Sequence, residues 1–192
     1  MQRIFLGLAT LVFCGFLAGC ATLNKAECEA GDWRSLGMAD GSKGYPLSYI
    51  DEHMTACAKH GISVDRTVYA AGREEGLQNY CRIDKAESEG LAGRPNYNSC
   101  TGDIGISFNR IYDKARIVQK TGQEITVARG QMDTALERIT TPGLTDAQRL
   151  AIKGEISNAQ LKIELLEDRR RLEERDLRAT FDAEQRRLAK SG

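Results

Sequence analysis

The chain has 192 residues with 27 basic and 27 acidic side chains, so its formal net charge is zero. This balance gives no electrostatic basis for binding nucleic acid, and we expect no nucleic-acid partner. The length is enough for one medium domain, or for one small domain that carries an extension.

The first twenty residues resemble a bacterial lipoprotein signal. Arg3 is followed by an apolar run over residues 4–18, and the sequence Leu-Ala-Gly-Cys occupies residues 17–20. A positive start, a short apolar core and small residues before the cut are the marks of a secretory signal peptide. We therefore predict that residues 1–19 are removed and that Cys20 becomes the lipidated N-terminus.

Two other fates of this segment stay open, namely retention as a transmembrane helix and cleavage without lipidation. Retention is the weaker alternative, because a spanning helix needs about 20 apolar residues and polar residues follow from Thr22 onward. Ala21 is not an acidic retention residue. By resemblance to other lipoproteins, this favours the outer membrane, with the protein facing the periplasm and held by its lipid anchor.

Four cysteines remain beyond the lipidation site: Cys28, Cys57, Cys81 and Cys100. An even number of cysteines in an oxidising compartment predicts two disulfides. A zinc site is the alternative, but structural zinc sites normally contain a pair of cysteines much closer in sequence than any here. We assign no metal and no cofactor.

The first elements after the signal are short. Residues 20–27 are interpreted as a linker, and residues 28–107 as a helical domain rich in glycine and cysteine. Asp32 is placed to cap one helical turn. The spacing of apolar residues then predicts helices over residues 46–60 and 66–81.

Two glycines stand out within the second of these helices. Gly72 and Gly76 lie four residues apart, although glycine in a helix costs about 1 kcal/mol relative to alanine. We expect them to leave a flat stripe where another backbone can approach. The next short helix is predicted to run from Asp84 to Gly90, with Glu87 as the capping-box partner of Asp84.

The predicted helices constrain the disulfides. If 46–60 and 66–81 are continuous helices joined by a short turn, Cys57 and Cys81 lie about 24 Å apart. A disulfide requires Cα atoms within about 7 Å, so this pair is disfavoured. Two pairings stay open: the preferred one is Cys28–Cys57 with Cys81–Cys100, and the second is Cys28–Cys81 with Cys57–Cys100.

The remaining residues, 108–192, are charged and contain no cysteine. Their apolar residues alternate at three and four positions, which predicts coiled-coil-like helices. A break at residues 141–143, followed by the capping-box pair Thr145 and Gln148, predicts an antiparallel helical hairpin whose first arm covers about residues 108–140.

The heptad positions also predict which side of the hairpin is buried. Beyond Leu166 on the second helix the apolar spacing weakens, so we expect this helix to extend past its partner or to meet another protein. The overall prediction is an all-α fold, in which a small disulfide-stapled domain precedes a long antiparallel hairpin. The predicted contact positions of the first helix are Phe108, Ile111, Ala115, Val118, Gly122, Ile125, Arg129, Met132, Leu136 and Ile139.

Two groups of polar side chains could carry chemistry. His53, Cys57 and His60 share a helix face, but they could hold a metal only if Cys57 were a free thiolate rather than part of a disulfide. Carboxylates could form a pair for glycan cleavage, although two of the candidates already serve as helix caps. The candidate carboxylates are Asp32, Asp40, Asp65 and Glu75.

Aromatic side chains form a third candidate group. Trp33, Tyr69 and Tyr80 could line a sugar-binding groove, but aromatic residues beside glycines more often form the core of a small disulfide-linked domain. No residue is therefore assigned as catalytic.

The glycine- and cysteine-rich half resembles a bacterial lipoprotein family of unknown function, DUF2799, over about residues 28–105. The resemblance implies a small envelope domain, and it carries no established activity and no catalytic residues. It rests on Gly31-Asp32-Trp33, Gly37, Asp40-Gly41, Gly44, His53, Cys57, Gly61, Asp65, Tyr69, Gly72-Arg73, Gly76-Leu77, Tyr80-Cys81, Gly90, Gly93, Tyr97 and Cys100.

We therefore expect a cell-envelope lipoprotein with a non-enzymatic role in structure or protein interaction. The expected protein partner would bind the helices of residues 108–192. The alternative is a protein that binds or processes envelope glycans.

Overall fold

The structure is a computed structural model that describes residues 22–191. The predicted signal peptide and the predicted lipidation site, Cys20, lie outside these residues. The all-α prediction is confirmed, because the described range contains only helices, turns and loops and no strand. No helix within it is long and apolar enough to cross a membrane.

Seven α-helices follow one another along the described chain, and a single 3-10 turn, Leu47–Tyr49, directly precedes the third. Their bounds are α1 Lys25–Ala30, α2 Trp33–Gly41, α3 Ile50–Ala58, α4 Arg66–Tyr80, α5 Ile83–Leu91, α6 Gly102–Arg138 and α7 Asp146–Ser191.

The segment interpreted as a linker, 20–27, differs from that expectation in its described part. Leu23 is buried, and α1 begins two residues later. A capping box starts the helix: the Glu27 backbone N–H donates to Asn24 Oδ1 (3.0 Å), and the Asn24 N–H donates to Glu27 Oε2 (2.7 Å). This motif satisfies two backbone donors that would otherwise lack partners.

Helix α5 begins differently from the prediction. Its N-cap is Arg82, which makes no side-chain capping bond, so the predicted capping box between Asp84 and Glu87 is wrong. The Asp84 carboxylate instead accepts two bonds from the Arg82 guanidinium, at 3.0 and 2.9 Å. A charged bidentate partner competes successfully for that carboxylate.

Helices α2 and α4 cross at very short range through four glycines. A methyl group added at Gly37 would overlap the Tyr69 carbonyl oxygen, and one at Gly72 would overlap the Arg34 carbonyl oxygen. Gly41 and Gly76 meet the facing backbone in the same way. The predicted flat stripe on α4 is therefore occupied by α2, which carries a matching pair of glycines.

Two disulfides link these short helices. Cys28–Cys57 joins α1 to α3, and Cys81–Cys100 joins the end of α4 to the segment before α6; the Cα atoms are 5.5 Å apart in both. This is the preferred one of the two pairings that the sequence leaves open. Each bridge closes a loop of 20 to 30 residues, which stabilises the fold by about 3 kcal/mol in the chain-entropy account.

Three apolar cores lie along the described residues. The first is formed by α1 to α4 and the second by α4 to α7, so α4 connects them. The third lies between α6 and α7 and contains Ile125, Ala128, Ile163 and Leu166. The first contains Leu23, Cys28, Trp33, Ile50, Ala56, Cys57, Val64 and Tyr69. The second contains Leu77, Tyr80, Ala86, Cys100, Phe108, Ile111, Tyr112, Ala115, Val118 and Leu177.

Helices α6 and α7 form the predicted antiparallel hairpin. Gln148 N donates to Thr145 Oγ1 (3.2 Å), and Thr145 N donates to Gln148 Oε1 (2.8 Å), which confirms the predicted capping box at the start of α7. Ion pairs hold one antiparallel register along the hairpin: Asp103–Arg187, Arg110–Glu184, Lys114–Asp176, Glu124–Arg169, Arg129–Glu167 and Arg138–Glu155.

The ends of the hairpin helices differ from the prediction. Helix α6 begins at Gly102 rather than near residue 108, and its first turns pack against α5. Helix α7 does not extend past its partner, because its last turns lie against the first turns of α6. Leu177 joins the second core and Glu184 is buried beside Ser107.

The buried side of α6 also shifts along its length. Phe108, Ile111, Ala115, Val118 and Ile125 are buried as predicted, and beyond them Ala128 and Ala135 are buried. Arg129 is exposed and pairs with Glu167, and Leu136 is 45% exposed. In the second half of α6 the buried positions Ala128 and Ala135 therefore lie one residue before the predicted contact positions Arg129 and Leu136.

Candidate functional site

One buried polar cluster consists of Asp40, His53 and Tyr69. His53 Nε2 lies 2.7 Å from Asp40 Oδ2, and Tyr69 Oη donates to the same oxygen at 2.9 Å. The three residues are 4%, 2% and 0% exposed. The carboxylate comes from the last turn of α2, the imidazole from α3 and the phenol from α4.

The N-terminal segment completes this cluster. Thr22 Oγ1 lies 3.0 Å from His53 Nδ1, so both nitrogens of the imidazole have partners. The Tyr49 and Tyr69 rings contact the imidazole edge-on, with ring centroids 5.2 and 5.8 Å away. Burial, followed by the charge of Asp40 and the hydrogen bond to it, raises the pKa of Tyr69 above its ordinary range. The phenol therefore remains a donor at neutral pH.

The hydrogen-bonded series of the Asp40 carboxylate, the His53 imidazole and the Thr22 hydroxyl resembles the arrangement that activates hydroxyl nucleophiles in acyl transfer. Here Asp40 and His53 are buried, Thr22 is half-buried, and its neighbour Leu23 belongs to the first core. The geometry therefore supports a fixing role, in which the cluster joins α2, α3 and α4 and holds the N-terminal segment against them.

The candidate carboxylates are not brought together. Asp32 Oδ1 accepts from Ser35 N (3.2 Å), and Asp65 Oδ1 accepts from Thr67 N and Val68 N (2.9 and 3.0 Å). Both therefore act as helix caps. The remaining candidate, Glu75, forms an ion pair with Arg34 on the surface, so only Asp40 of the four lies in the buried cluster.

The histidine and cysteine face of α3 does not form a metal site. Cys57 is bonded to Cys28, His53 is bonded to Asp40, and His60 is exposed in the turn after the helix. In residues 22–191 no group of three His, Cys, Asp or Glu side chains is placed to hold a metal ion.

The three aromatic residues lie in two different cores rather than along one groove. Trp33 and Tyr69 belong to the first core, and Tyr80 to the second. Tyr80 packs at 5.2 Å from the Phe108 ring and against Gly44. Its hydroxyl is buried and has no hydrogen-bond partner in the structure, and burial raises the pKa of Tyr80 to about 12.

A second polar cluster fixes the open end of the hairpin. Glu184 accepts from Ser107 Oγ (2.7 Å), Arg110 Nη1 (2.7 Å) and Arg187 Nε (2.8 Å). The hydrogen bonds from Arg110, Arg187 and Ser107 lower the pKa of Glu184 to about 2. Arg187 also donates to Asp103 at the first turn of α6. These contacts fasten the last turns of α7.

The outer face of α7 carries four exposed leucines, which we call the outer stripe. Leu150, Leu161, Leu165 and Leu172 are 72%, 59%, 70% and 58% exposed. At about 100° per residue they lie roughly 140–200° around the helix from Ile163, which faces α6. The weakened spacing after Leu166 predicts a helix that extends past its partner or meets another protein. These four leucines were not identified, although their spacing of four and seven residues was visible.

No curated protein and no solved structure matches this chain at a significant level. Residues 32–116 match the model of a family described as a protein of unknown function, DUF2799. The match runs from the start of α2 into α6, and so includes Asp40, His53 and Tyr69 but neither Thr22 nor α7. This region of the chain, residues 32–116, is therefore similar to the DUF2799 family.

Proposed function

We propose that this protein is a lipid-anchored protein of the bacterial cell envelope, at the outer membrane and facing the periplasm, where it serves as a non-enzymatic interaction module. The anchor is inferred from Leu-Ala-Gly-Cys at residues 17–20. Two disulfides agree with an oxidising compartment. The interaction role rests on one observation, the exposed outer stripe of α7.

The outer stripe supports a protein partner for a physical reason. Single exposed leucines are ordinary on protein surfaces, but an aligned series marks an interaction site. Leu161, Leu165 and Leu172 share one side of a helix, and that side faces away from α6. The partner that fits is a helix with an apolar face, because side chains spaced in this way interdigitate with those of a second helix.

The lipid anchor is tested by the intact mass of protein purified from membranes. We expect a mass that corresponds to a chain beginning at acylated Cys20, and a gain of four hydrogens after reduction. The Cys20→Ser variant should lose the lipid and leave the membrane fraction. A full-length chain with an intact signal and four free thiols would contradict the proposal.

The interaction face is tested by photo-crosslinking in living cells. A photoreactive residue at Leu165 should form a defined crosslinked product, and the same residue at Gln160, an exposed polar position on α7, should not. Substituting both Leu161 and Leu172 by serine should abolish the product. A product that contains two copies of this chain would identify the partner helix as α7 itself, and equal crosslinking at both positions would refute the role of the outer stripe.

These substitutions test the outer stripe more specifically than a deletion of residues 108–192 would. The deletion would remove Phe108 and Ile111, which belong to the second core together with Tyr80 and Ala86. The deletion would therefore unfold part of the region that matches the family model, residues 32–116, as well as remove the hairpin.

A further inference from the structure

The described fold begins at Thr22, two residues after the predicted lipidation site, Cys20. Thr22 is bonded to buried His53 through its hydroxyl, Leu23 is 7% exposed in the first core, and Asn24 caps α1. If Cys20 is the first residue of the mature chain, only Ala21 separates it from a fixed residue. The proposed anchor and the folded part are therefore separated by a single residue in sequence.

We infer that the surface of α3 around Thr22 rests directly on the lipid headgroups, and this inference depends on the proposed acylation of Cys20. Two residues of extended chain span at most about 7 Å. The acyl chains must enter the bilayer at Cys20, so Thr22 lies within that distance of the residue that enters the membrane surface. The partner of this surface is the bilayer itself.

The chemistry of the surface agrees with this position. Thr22 borders a shallow depression whose other side chains are polar or charged, apart from one alanine. A headgroup layer is about 5–7 Å thick on each side of the hydrocarbon core and accepts such groups, whereas the hydrocarbon itself does not. The surface therefore lies on the headgroups without entering the core. The lining residues are Thr22, Ser48, Asp51, Glu52, Thr55, Ala56 and Lys59.

The contacts of the N-terminal segment fix the orientation as well as the distance. A flexible linker of twelve residues would let the domain move about 17–21 Å from its anchor and rotate freely. Here the Thr22–His53 bond and the buried Leu23 side chain attach the segment to α3 and to the first core. The same face of α3 must therefore be turned towards the membrane in every molecule.

The experiment uses the full lipidated protein in vesicles of phosphatidylethanolamine and phosphatidylglycerol. A fluorophore is attached to Glu52→Cys, and a nitroxide on the lipid headgroup serves as the quencher. The introduced thiol is the only free one, because Cys20 is acylated in this preparation and the four other cysteines of residues 22–191 are paired. The matched control carries the same label and a twelve-residue Gly-Ser insertion between Ala21 and Thr22.

We expect the fluorophore at residue 52 to be quenched several-fold more strongly in the protein without the insertion than in the protein with it. Equal quenching in two chains whose masses both show acylation would overturn the inference and leave the lipoprotein proposal intact. A mass without lipid would overturn both. Circular dichroism of the two labelled proteins confirms that they are equally folded.

Discussion

His53 and Asp40 form a pair, with 2.7 Å between Nε2 and Oδ2, in the interior of a helical domain that contains few large apolar residues. Thirteen residues separate them in sequence, and they lie on different helices. Tyr69 adds a third helix to the pair. This part of the fold is therefore held by polar contacts as well as by two disulfides and an apolar core.

Replacement of His53 by leucine should destabilise the protein strongly. The carboxylate of Asp40 would stay buried with Tyr69 as its only partner, and breaking a buried pair from one side costs about 3–5 kcal/mol. The free energy of unfolding, measured in urea with the disulfides intact, should fall by that amount. His60→Leu is the matched control: His60 is exposed in the turn that follows the same helix, so its replacement should change stability by at most about 0.5 kcal/mol. Equal effects of the two substitutions would show that the buried pair does not contribute.

The glycines between α2 and α4 give a second prediction. Gly37→Ala or Gly72→Ala places a methyl group where a backbone carbonyl of the facing helix already lies. The two helices must separate, and overpacking of this kind costs about 1–3 kcal/mol or more. Thermal unfolding of each variant should show a clear fall in Tm.

Two other glycines provide the control for this experiment. Gly130 in α6 and Gly154 in α7 have open space where a Cβ atom would lie. Alanine at either position should stabilise the protein by about 0.5–1 kcal/mol, because the unfolded chain loses conformational freedom and the folded chain gains no clash. A loss of stability at Gly130 similar to that at Gly37 would mean that helix contact is not the cause.

Local signals explain which parts of this fold could be predicted. Asp32 and Asp65 cap their helices as expected, because a cap depends on a few adjacent residues. Helix length argued against a bond between Cys57 and Cys81 and left two pairings open, of which the preferred one is present. The capping box of Asn24 and Glu27 was equally local, and the interpretation of residues 20–27 as a linker overlooked it.

The buried cluster could not be predicted in this way. Two glycines follow Asp40 within four positions, a pattern typical of a loop, yet α2 continues to Gly41. It reaches His53 only because α2 and α4 cross closely and α3 packs over them, and such a crossing depends on tertiary contacts. Gly37 and Gly41 on α2 carried the same spacing as Gly72 and Gly76 on α4. That match was the signal in the sequence that could have paired the two helices.

Two tyrosine hydroxyls in different surroundings give a third prediction. The Tyr80 hydroxyl is buried without a partner, whereas that of Tyr69 donates to Asp40. Tyr80→Phe should leave stability unchanged or raise it by about 1 kcal/mol, because an unsatisfied buried group is removed. Tyr69→Phe should lower it by about 1–3 kcal/mol, because Asp40 loses a donor. Urea unfolding of the two variants checks the difference, and a loss in both would show that the Tyr80 hydroxyl has a partner in solution.

The cluster around Glu184 predicts a dependence of stability on pH. The folded state holds the pKa of Glu184 at about 2, below the value of 4.5 for a free glutamate. A lowered folded-state pKa gives stability that is present above the unfolded pKa and is lost as pH falls through the folded value. Because the Arg110 partner is largely exposed, we expect about 2 kcal/mol rather than the full equivalent of the shift.

The Glu184→Gln variant isolates this contribution. At neutral pH it should be less stable than the original chain by that amount, and between about pH 5 and pH 2 the difference should shrink towards zero as the carboxyl is protonated. Glu164→Gln, an exposed position on the same helix, is the control and should run parallel to the original chain at every pH. A constant gap between the Glu184→Gln variant and the original chain across this range would mean that the glutamine disturbs packing. The gap closes on acidification only if the charge of Glu184 is what fastens the last turns of α7 to the start of α6.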